Sequence, residues 1–256
     1  MKIVIVGSGN VAIVLSAIIQ RAGHEIVQVV SRNHENAKKL ASKYNAQSGT
    51  LLDKEFADAD IYIVALTDDG LESIEKVKGF KNKLIVHTAG SVPMDILKNC
   101  SSIYGVLYPL QTLSKENSHI PEIPFLVEGN NKETLQQVTA FAKTLSDKVI
   151  LTNDSERLLY HIAAVFVGNF TNHLMAMAES FCEKEKLDFN ALVPLINEVT
   201  YKANYYSPHE VQTGPAIRED IVTLNRHLQA LSPHVDLKYI YLKLSESILK
   251  LHQKNR

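Results

Sequence analysis

Apolar runs and helical patterns alternate along residues 1–153 of the chain. The runs are short and rich in β-branched residues, and they lie at residues 3–6, 26–30, 60–66, 84–87, 103–108, 124–128 and 148–151. Runs of this kind are typical of strands that are buried on both faces of a sheet. Residues 36–44 and the amphipathic stretch 132–145 predict helices that cover such a sheet. The pattern predicts an α/β fold with a doubly wound, mainly parallel sheet.

The periodicity changes at Asp154 and stays helical towards the end of the chain. Residues 155–186 predict one helix of about nine turns. A helix capped by Asp188 and two further helices at 221–231 and 235–251 follow. We therefore expect two domains, residues 1–153 and an all-α domain at residues 154–256. The long helix is apolar almost all round and needs cover on several sides, either from the other helices or from a second subunit, so we expect a homodimer.

A glycine-rich turn follows the first predicted strand. The sequence from Gly7 to Ala12, GSGNVA, separates this strand from an apolar helical pattern. In that context a GxGxxG/A sequence is the dinucleotide-binding fingerprint of a Rossmann-like fold, because the glycines permit a tight turn and let the backbone approach a pyrophosphate. The amino terminus of the helix would present free N–H groups to the phosphates. The alternative is a glycine turn that binds no ligand.

The end of the second predicted strand distinguishes the two nicotinamide cofactors. Folds that select NAD place Asp or Glu at this position to bind the ribose hydroxyls, whereas folds that select NADP accommodate the 2′-phosphate. The chain has Ser31 and Arg32 here, and a guanidinium binds a phosphate through two hydrogen bonds. These residues predict NADP (NADPH) as the cofactor, unless Arg32 is only a solvated turn residue.

Later turns complete the predicted cofactor site, because ligands bind at the carboxyl ends of parallel strands. Residues 66–68 end one strand and Thr88 follows the next. Asp68 or Asp69 is equally suited to cap the helix that follows. The predicted cofactor-binding residues are Gly7, Ser8, Gly9, Asn10, Val11, Ala12, Ser31, Arg32, Leu66, Thr67, Asp68 and Thr88.

Two residues are candidates for catalysis. His87 ends a predicted strand, and histidine titrates near neutral pH, although a packed histidine at a strand end is the alternative. Asn169 lies beside Gly168 on the long helix, on the same side as His161. Such a polar patch either orients a substrate for hydride transfer or belongs to a polar cluster within the helical domain or at a dimer seam.

The predicted substrate-binding residues come from three segments. They are Ser91, Tyr108, Gln111, Thr213 and Arg218. Pro215 lies near the start of a predicted helix whose free N–H groups suit an anion, and Arg218 suits a substrate carboxylate. The alternative for this third segment is an ordinary loop with a surface arginine.

Composition narrows the class of protein. The 256 residues carry a net charge of -1, without the basic excess that is typical of nucleic-acid-binding proteins. No apolar run is long enough to span a membrane, and the first apolar segment predicts a strand rather than a signal peptide. Cys100 and Cys182 are the two cysteines. Their spacing fits no metal site and favours a reduced, cytoplasmic protein.

Several motifs together resemble a family assigned as NADP oxidoreductases, in which a Rossmann-like domain precedes a conserved helical domain. The motifs are GSGNVA, SRN, ALTDDGL, HTAGS, YPLQT and TGPAIRED, and the resemblance covers essentially the whole chain. More distantly, the chain is similar to the 6-phosphogluconate dehydrogenase-like superfamily. That superfamily includes the β-hydroxyacid dehydrogenases, ketopantoate reductase and pyrroline-5-carboxylate reductase, and the similarity implies a helical, often dimerising second domain.

The resemblance departs from the superfamily at two positions. The β-hydroxyacid dehydrogenases place a catalytic Lys four residues before an Asn on the long helix; if Asn169 is that Asn, Val165 stands at the Lys position. Tyr108 stands where related sequences often carry His before Pro-Leu-Gln. The chain is therefore expected to be an NADP-dependent oxidoreductase that transfers hydride to or from a small carbonyl or imine by means of another proton donor. The alternative is a non-catalytic NADP-binding sensor or scaffold protein.

Overall fold

The computed structural model describes residues 1–53, 55–80, 82–116 and 119–253. The chain divides into two compact units, Met1–Asn169 and Phe170–Arg256. The first unit extends past Asn153, where the sequence predicts the boundary, because the helix that begins at Asp154 is tied to the sheet by buried contacts. The division into residues 1–153 and 154–256 stays a prediction, and residues 254–256 lie outside the described part of the chain.

The first unit is built on a sheet. Its strands are β1 (Lys2–Val6), β2 (Glu25–Ser31), β3 (Gln47–Thr50), β4 (Ile61–Val64), β5 (Leu84–His87), β6 (Ile103–Pro109), β7 (Phe125–Gly129) and β8 (Val149–Leu151). They form an eight-stranded sheet in the order β3-β2-β1-β4-β5-β6-β7-β8. Neighbouring strands are parallel except for β6 and β7, which are antiparallel. The predicted Rossmann-like, mainly parallel sheet is confirmed; β3 was not predicted, because its sequence QSGT contains no apolar run.

Alternation along the central strands divides the core between the two faces of the sheet. Ile3 and Ile5 of β1 pack in one buried cluster, whereas Val4 and Val6 pack in another. All four side chains are 0% exposed. Successive side chains of a strand point to opposite faces, so a strand that is apolar at every position requires cover on both sides.

Helices of the first unit provide this cover. They are α1 (Asn10–Arg21), α2 (His34–Ser42), α3 (Asp68–Glu72), α4 (Lys132–Leu145) and α5 (Asp154–Ala164), with 3-10 turns at Ile74–Lys76 and Met94–Leu97. Leu15, Ile18 and Ile19 form the buried face of α1. A capping box starts α5, because the Asn153 side chain accepts from the Glu156 N–H while the Glu156 carboxylate accepts from the Asn153 N–H.

The long helix predicted at 155–186 is interrupted. After α5 the chain forms a π-helical segment, Val165–Phe170, and then α6 (Thr171–Lys184). The segment contains Gly168 and two β-branched valines, all of low helix propensity. A Cβ on Gly168 would lie 3.1 Å from Thr112 Oγ1, so the glycine also permits a close approach within the first unit. Such π segments often occur at functional sites.

The second unit is helical throughout its described elements. A 3-10 turn at Phe189–Leu192 follows α6 and leads to α7 (Val193–Tyr205), α8 (Ile221–Ala230) and α9 (Val235–Gln253). The predicted helical second part is confirmed. The helix predicted at 221–231 is α8, which begins at Ile221, six residues after Pro215, where the Asp220 carboxylate accepts from the Thr223 N–H at 3.0 Å. Among the described residues, no helix is long and apolar enough to cross a membrane.

Candidate cofactor and substrate site

The direction of the chain through the sheet reverses at β1. The chain runs from β1 through β2 to β3 on one side, and then returns to place β4 on the other side of β1. At such a switch point the loops after the two strands diverge and leave a crevice outside their carboxyl ends. Gly7 to Gly9 follow β1 at this crevice, and Ala65 to Thr67 follow β4.

The two glycines of the first turn serve different purposes. Gly7 has a φ of +131°, and a Cβ there would lie 2.1 Å from the Ala65 carbonyl oxygen. Only glycine fits this position without moving the backbone of the neighbouring strand end. Gly9 is the N-cap of α1, and a Cβ built on it meets nothing within 4 Å.

The amino terminus of α1 therefore has both open space and free donors. The first turn of α1 has no side-chain cap and no acidic residue, so its leading N–H groups are left for a ligand. Ala12 is buried at 0% exposure, which allows close packing of the helix on the sheet. This geometry fits the diphosphate of a dinucleotide.

Two serines join the glycine turn to the end of β2. The Ser8 and Ser31 hydroxyl oxygens are 2.8 Å apart, and the Gly7 N–H donates to the Val30 carbonyl at 2.7 Å. Arg32 follows directly and is exposed. The hydroxyls and the guanidinium thus lie at the edge where an adenosine ribose would bind in this fold.

The turns after β4 and β5 are bonded to each other. The Ser91 hydroxyl donates to the Asp68 carboxylate at 2.6 Å, and the Thr88 N–H donates to the Val64 carbonyl at 3.2 Å. Thr67, not Asp68, is the N-cap residue of α3. The capping alternative for Asp68 is therefore wrong, because this residue already lies inside the helix and its carboxylate binds Ser91.

His87 is packed inside the first unit. The side chain is 0% exposed, and its Nδ1 accepts from the Ala89 N–H at 3.2 Å. Burial, helped by the positive charge of Arg157, lowers the pKa of His87 to about 3. A histidine with this pKa is neutral at neutral pH and is a poor proton donor. These properties fit the packed strand-end histidine that the sequence left open as the alternative to catalysis.

A cleft of about 730 Å³ opens beside the carboxyl end of β6. Tyr108 and residues 110–113 line one side, and residues from Tyr160 to Asn169 line the other, including Val165 of the π segment. The described residues that line it include no Asp, Glu, Lys or Arg. Its volume suits a small ligand, and its lining is mostly apolar with a few polar groups.

The polar groups of the cleft include a bonded pair. The Tyr108 hydroxyl lies 2.9 Å from His161 Nδ1, with the ring centroids 5.9 Å apart at 75°. Burial raises the pKa of Tyr108, although the nearby Arg157 opposes the shift. The phenol is therefore protonated at neutral pH. Gln111 and Asn169, two predicted site residues, line the same cleft.

A buried arginine fixes α5 against the sheet. Arg157 is 1% exposed and pairs with the Glu128 carboxylate of β7. Its guanidinium also donates to the Val92 carbonyl at 2.5 Å and to the Asp154 carboxylate at 2.8 Å. Neither Glu128 nor Arg157 is among the predicted site residues. Glu128 is 4% exposed directly after the apolar residues of β7, and a buried carboxylate generally requires a cation beside it.

The remaining predicted residues are in the second unit. Thr213 and Arg218 lie in the connection between α7 and α8, and both are exposed. Their role in substrate binding stays a prediction. Within the described ranges, no group of three or more His, Cys, Asp or Glu residues could hold a metal ion.

Two family models match the chain. Residues 2–90 match the family described as NADP oxidoreductase, coenzyme F420-dependent. Residues 123–248 match a domain of unknown function, DUF2520. The first match contains the glycine turn and the ends of β2, β4 and β5, and the second contains α5 and most of the second unit.

Solved structures resemble the whole chain. A Bacteroides fragilis protein described as a putative NADP oxidoreductase is 38% identical, with 97% of this chain and 98% of that chain covered and a TM-score of 0.89. A reductive aminase from Aspergillus terreus, solved with NADPH and ethyl-5-oxohexanoate, is 14% identical, with 100% and 99% covered and a TM-score of 0.68. Pyrroline-5-carboxylate reductase from Streptococcus pyogenes is 13% identical, with 98% of each chain covered and a TM-score of 0.65. The similarity to the last two structures is a similarity of fold. None of the curated proteins compared with the chain matches it.

Proposed function

Because this chain belongs to the family in which an NADP oxidoreductase domain precedes a DUF2520 domain, we propose that it is an NADPH-dependent oxidoreductase that reduces a small carbonyl or imine. The observation that carries the proposal is the open space at Gly9, above the uncapped start of α1. Gly7 shapes the same turn and tolerates no side chain.

The proposed cofactor contacts follow from the edge of the sheet. Residues 7–12 hold the diphosphate, Ser31 and Arg32 hold the 2′-phosphate, and residues 66–68 with Thr88 border the rest of the nucleotide. When bound, NADPH supplies the hydride for the reduction. Arg32 gives selectivity, because its fixed positive charge attracts a phosphate that NADH lacks.

The proposed substrate site is the cleft beside β6. Asn169 and Gln111 are the polar groups that would orient a carbonyl or imine within a mostly apolar lining. Because the described lining carries no cationic side chain, we propose a neutral substrate. Ser91, Thr213 and Arg218 are not among the residues that line this cleft, and their role in substrate binding stays a prediction.

A second candidate function has one observation in its favour. Val165 lines the cleft, and if Asn169 is the Asn of the β-hydroxyacid dehydrogenases, Val165 stands at the position of their catalytic Lys. A protein that binds NADPH without reducing a substrate would need no such group. Turnover of any carbonyl or imine separates this sensor or scaffold function from the enzyme.

The assembly that we propose is a homodimer formed through the second unit. Large apolar side chains of α7 and α9 are exposed on the single chain, among them Leu195 at 60% and Tyr239 at 59%. Apolar patches of this kind are typical of protein interfaces. A second copy of the chain would cover these exposed helices, so we propose it as the partner.

Titration with NADPH, followed by cofactor fluorescence, tests the cofactor proposal. We expect saturable binding with a Kd well below about 1 mM, and Arg32→Ala should weaken NADPH at least about tenfold while changing NADH little, since a charged hydrogen bond to phosphate is lost. Arg21→Ala is the matched control, because Arg21 is in the last turn of α1, at the end opposite Gly9. Absence of saturable binding would reject the proposed function, and equal losses for both cofactors would reject the role of Arg32.

A further inference from the structure

The bonded pair of Tyr108 and His161 has a geometry suited to proton transfer. The hydroxyl oxygen and the imidazole Nδ1 are within hydrogen-bond distance at 2.9 Å, and both residues line the cleft. Tyr108 comes from the carboxyl end of β6 and His161 comes from α5. The pair therefore joins the ligand-binding edge of the sheet to the helix that faces it.

The fold holds His161 in place through Arg157. The two residues are four positions apart on α5 and so lie on the same face of the helix. The guanidinium of Arg157 is fixed by Glu128, by the Val92 carbonyl and by Asp154. With α5 anchored in this way, the imidazole is directed towards the Tyr108 hydroxyl.

The turn after β5 packs directly on the pair. A Cβ on Gly90 would lie 2.7 Å from His161 Nδ1 and 2.9 Å from Tyr108 Cζ. Both ring atoms are too close for any side chain, so glycine at this position permits the contact. Thr88, a proposed cofactor contact, belongs to the same turn. The phenol thus lies between this turn and the cleft proposed for substrate.

We infer that Tyr108 is the proton donor of the proposed reduction and that His161 is the positioning residue that returns the proton to it. The inference rests on the proposed function. The substrate carbon gains the hydride with its electron pair, while the π pair of C=O or C=N moves to the heteroatom. The Tyr108 O–H bond breaks and its proton forms an O–H or N–H bond on the substrate.

His161 restores the proton that Tyr108 donates. The Tyr108 phenolate regains a proton from His161 Nδ1, and the imidazole ring takes up one proton from the solvent in its place. One carbonyl or imine, one NADPH and one proton thus give one alcohol or amine and NADP⁺. The phenol carries the proton to be donated at neutral pH, because burial raises its pKa. This assignment supplies the group that Val165 does not.

A second tyrosine–histidine pair in the molecule provides a matched control. The Tyr241 hydroxyl lies 2.7 Å from His227 Nδ1 in the second unit, with the ring centroids 5.6 Å apart at 76°. These two residues line none of the described clefts. Tyr241→Phe therefore removes the same kind of hydrogen bond away from the proposed site.

The experiment measures NADPH binding, reduction and probe binding in the full-length protein. The probes are cyclohexanone and 2-methyl-1-pyrroline, one neutral ketone and one neutral imine. Tyr108→Phe should lower kcat about a hundredfold, the scale of general acid catalysis, with the Kd for NADPH unchanged within about twofold. With NADP⁺ present, saturation-transfer NMR should show cyclohexanone binding about tenfold weaker, since one hydrogen bond is lost. Tyr241→Phe should change neither kcat nor the binding of cyclohexanone.

Variants of His161 test the positioning role. His161→Phe should lower kcat about tenfold and alter its pH profile, since the phenolate loses its proton source. His161→Gln, whose amide can still donate to the phenolic oxygen, should recover part of the rate. A purely structural histidine would change the stability of the protein and leave the pH profile of kcat as it was.

The outcomes distinguish a failure of this inference from a failure of the proposed function. A failure of the wild-type protein to bind NADPH rejects the proposed function. If NADPH binds, the inference is overturned when Tyr108→Phe reduces the probes at the wild-type rate. It is equally overturned when the wild-type protein neither reduces nor binds either probe.

Discussion

The two units of the chain differ in how far each one covers its own apolar side chains. In the first unit, the side chains of β1 from Ile3 to Val6 are all 0% exposed. In the second unit, every described residue of α7 is half-buried or exposed, and Val199 is 62% exposed. Full burial of one such side chain stabilises a protein by about 1.5–3 kcal/mol. The helical unit therefore leaves much of its apolar surface in contact with water.

This difference indicates how the two units contribute to function. A sheet covered on both faces holds its strand ends rigidly, and rigid strand ends are what the proposed cofactor site requires. A helical unit with exposed apolar faces is suited to form contacts with another chain. We therefore expect substitutions in the first unit to change stability, and substitutions on the exposed face of the second to change assembly.

The largest effect should come from the ion pair that fixes α5 in the first unit. Arg157→Met should lower the free energy of unfolding by about 3–5 kcal/mol, because the buried Glu128 carboxylate then lacks its partner. Chemical denaturation followed by circular dichroism measures the change. The surface pair of Lys148 and Glu122 is the control, with side chains 60% and 61% exposed. Lys148→Met should cost at most about 1 kcal/mol.

A double variant sharpens this test. Glu128→Leu combined with Arg157→Met removes both buried charges, so it should recover most of the stability that Arg157→Met loses. If the double variant is no more stable than Arg157→Met, the loss comes from packing and not from an unpaired carboxylate. The contribution of Arg157 to the stability of the first unit would then come from packing alone.

The next effect concerns the second unit and the proposed homodimer. Leu195→Glu should raise the dimer dissociation constant about a hundredfold, or about 2.7 kcal/mol, because a carboxylate would be placed in an apolar interface. Analytical ultracentrifugation over a range of concentrations measures it. Asn197→Glu adds the same charge two residues away on an exposed polar position, and it should change the constant little. A wild-type protein that is monomeric at every concentration contradicts the proposal.

The sequence predicted the sheet well because most of its strands contain a short run of apolar residues. The predicted helix at residues 132–145 matches α4, Lys132–Leu145, since its amphipathic pattern and its Asn131 cap agree. The strand β3 escaped prediction, because QSGT is held by pairing with β2 and not by its own pattern. The π segment escaped as well, because periodicity over residues 155–186 does not reveal a local change of helix type.

The site was predictable in part for a similar reason. The glycine turn has a local signature, and the structure gives Gly7 the positive φ that this signature requires. The contact between Tyr108 and His161 joins residues far apart in sequence, and no periodicity encodes such a contact. The pair of Glu128 and Arg157 had only one sequence signal, a carboxylate within an apolar strand. Long-range polar contacts therefore needed the structure.

The smallest effect that we expect is a pH dependence of the stability of the first unit. Burial lowers the pKa of folded His87 to about 3, whereas the unfolded value is 6.5. Below about pH 6.5 the unfolded chain binds the proton first, so the stability that the neutral histidine contributes is lost as the pH falls from 6.5 towards 3. Relative to His87→Gln, the wild-type protein should lose about 2 kcal/mol of unfolding free energy between pH 7.5 and about pH 5.

The comparison of the two proteins isolates this one group, because all the other titratable residues are common to both. Urea denaturation at several pH values gives the two stability curves, and the difference between their slopes is the measured quantity. The glutamine introduced by His87→Gln would retain an amide oxygen that can accept from the Ala89 N–H, which His87 now binds through Nδ1. Parallel curves would mean that His87 takes up its proton in the folded state as readily as in the unfolded chain. Water would then reach His87 at the end of β5. The two units would differ less in how completely they bury their side chains than the burial of His87 indicates.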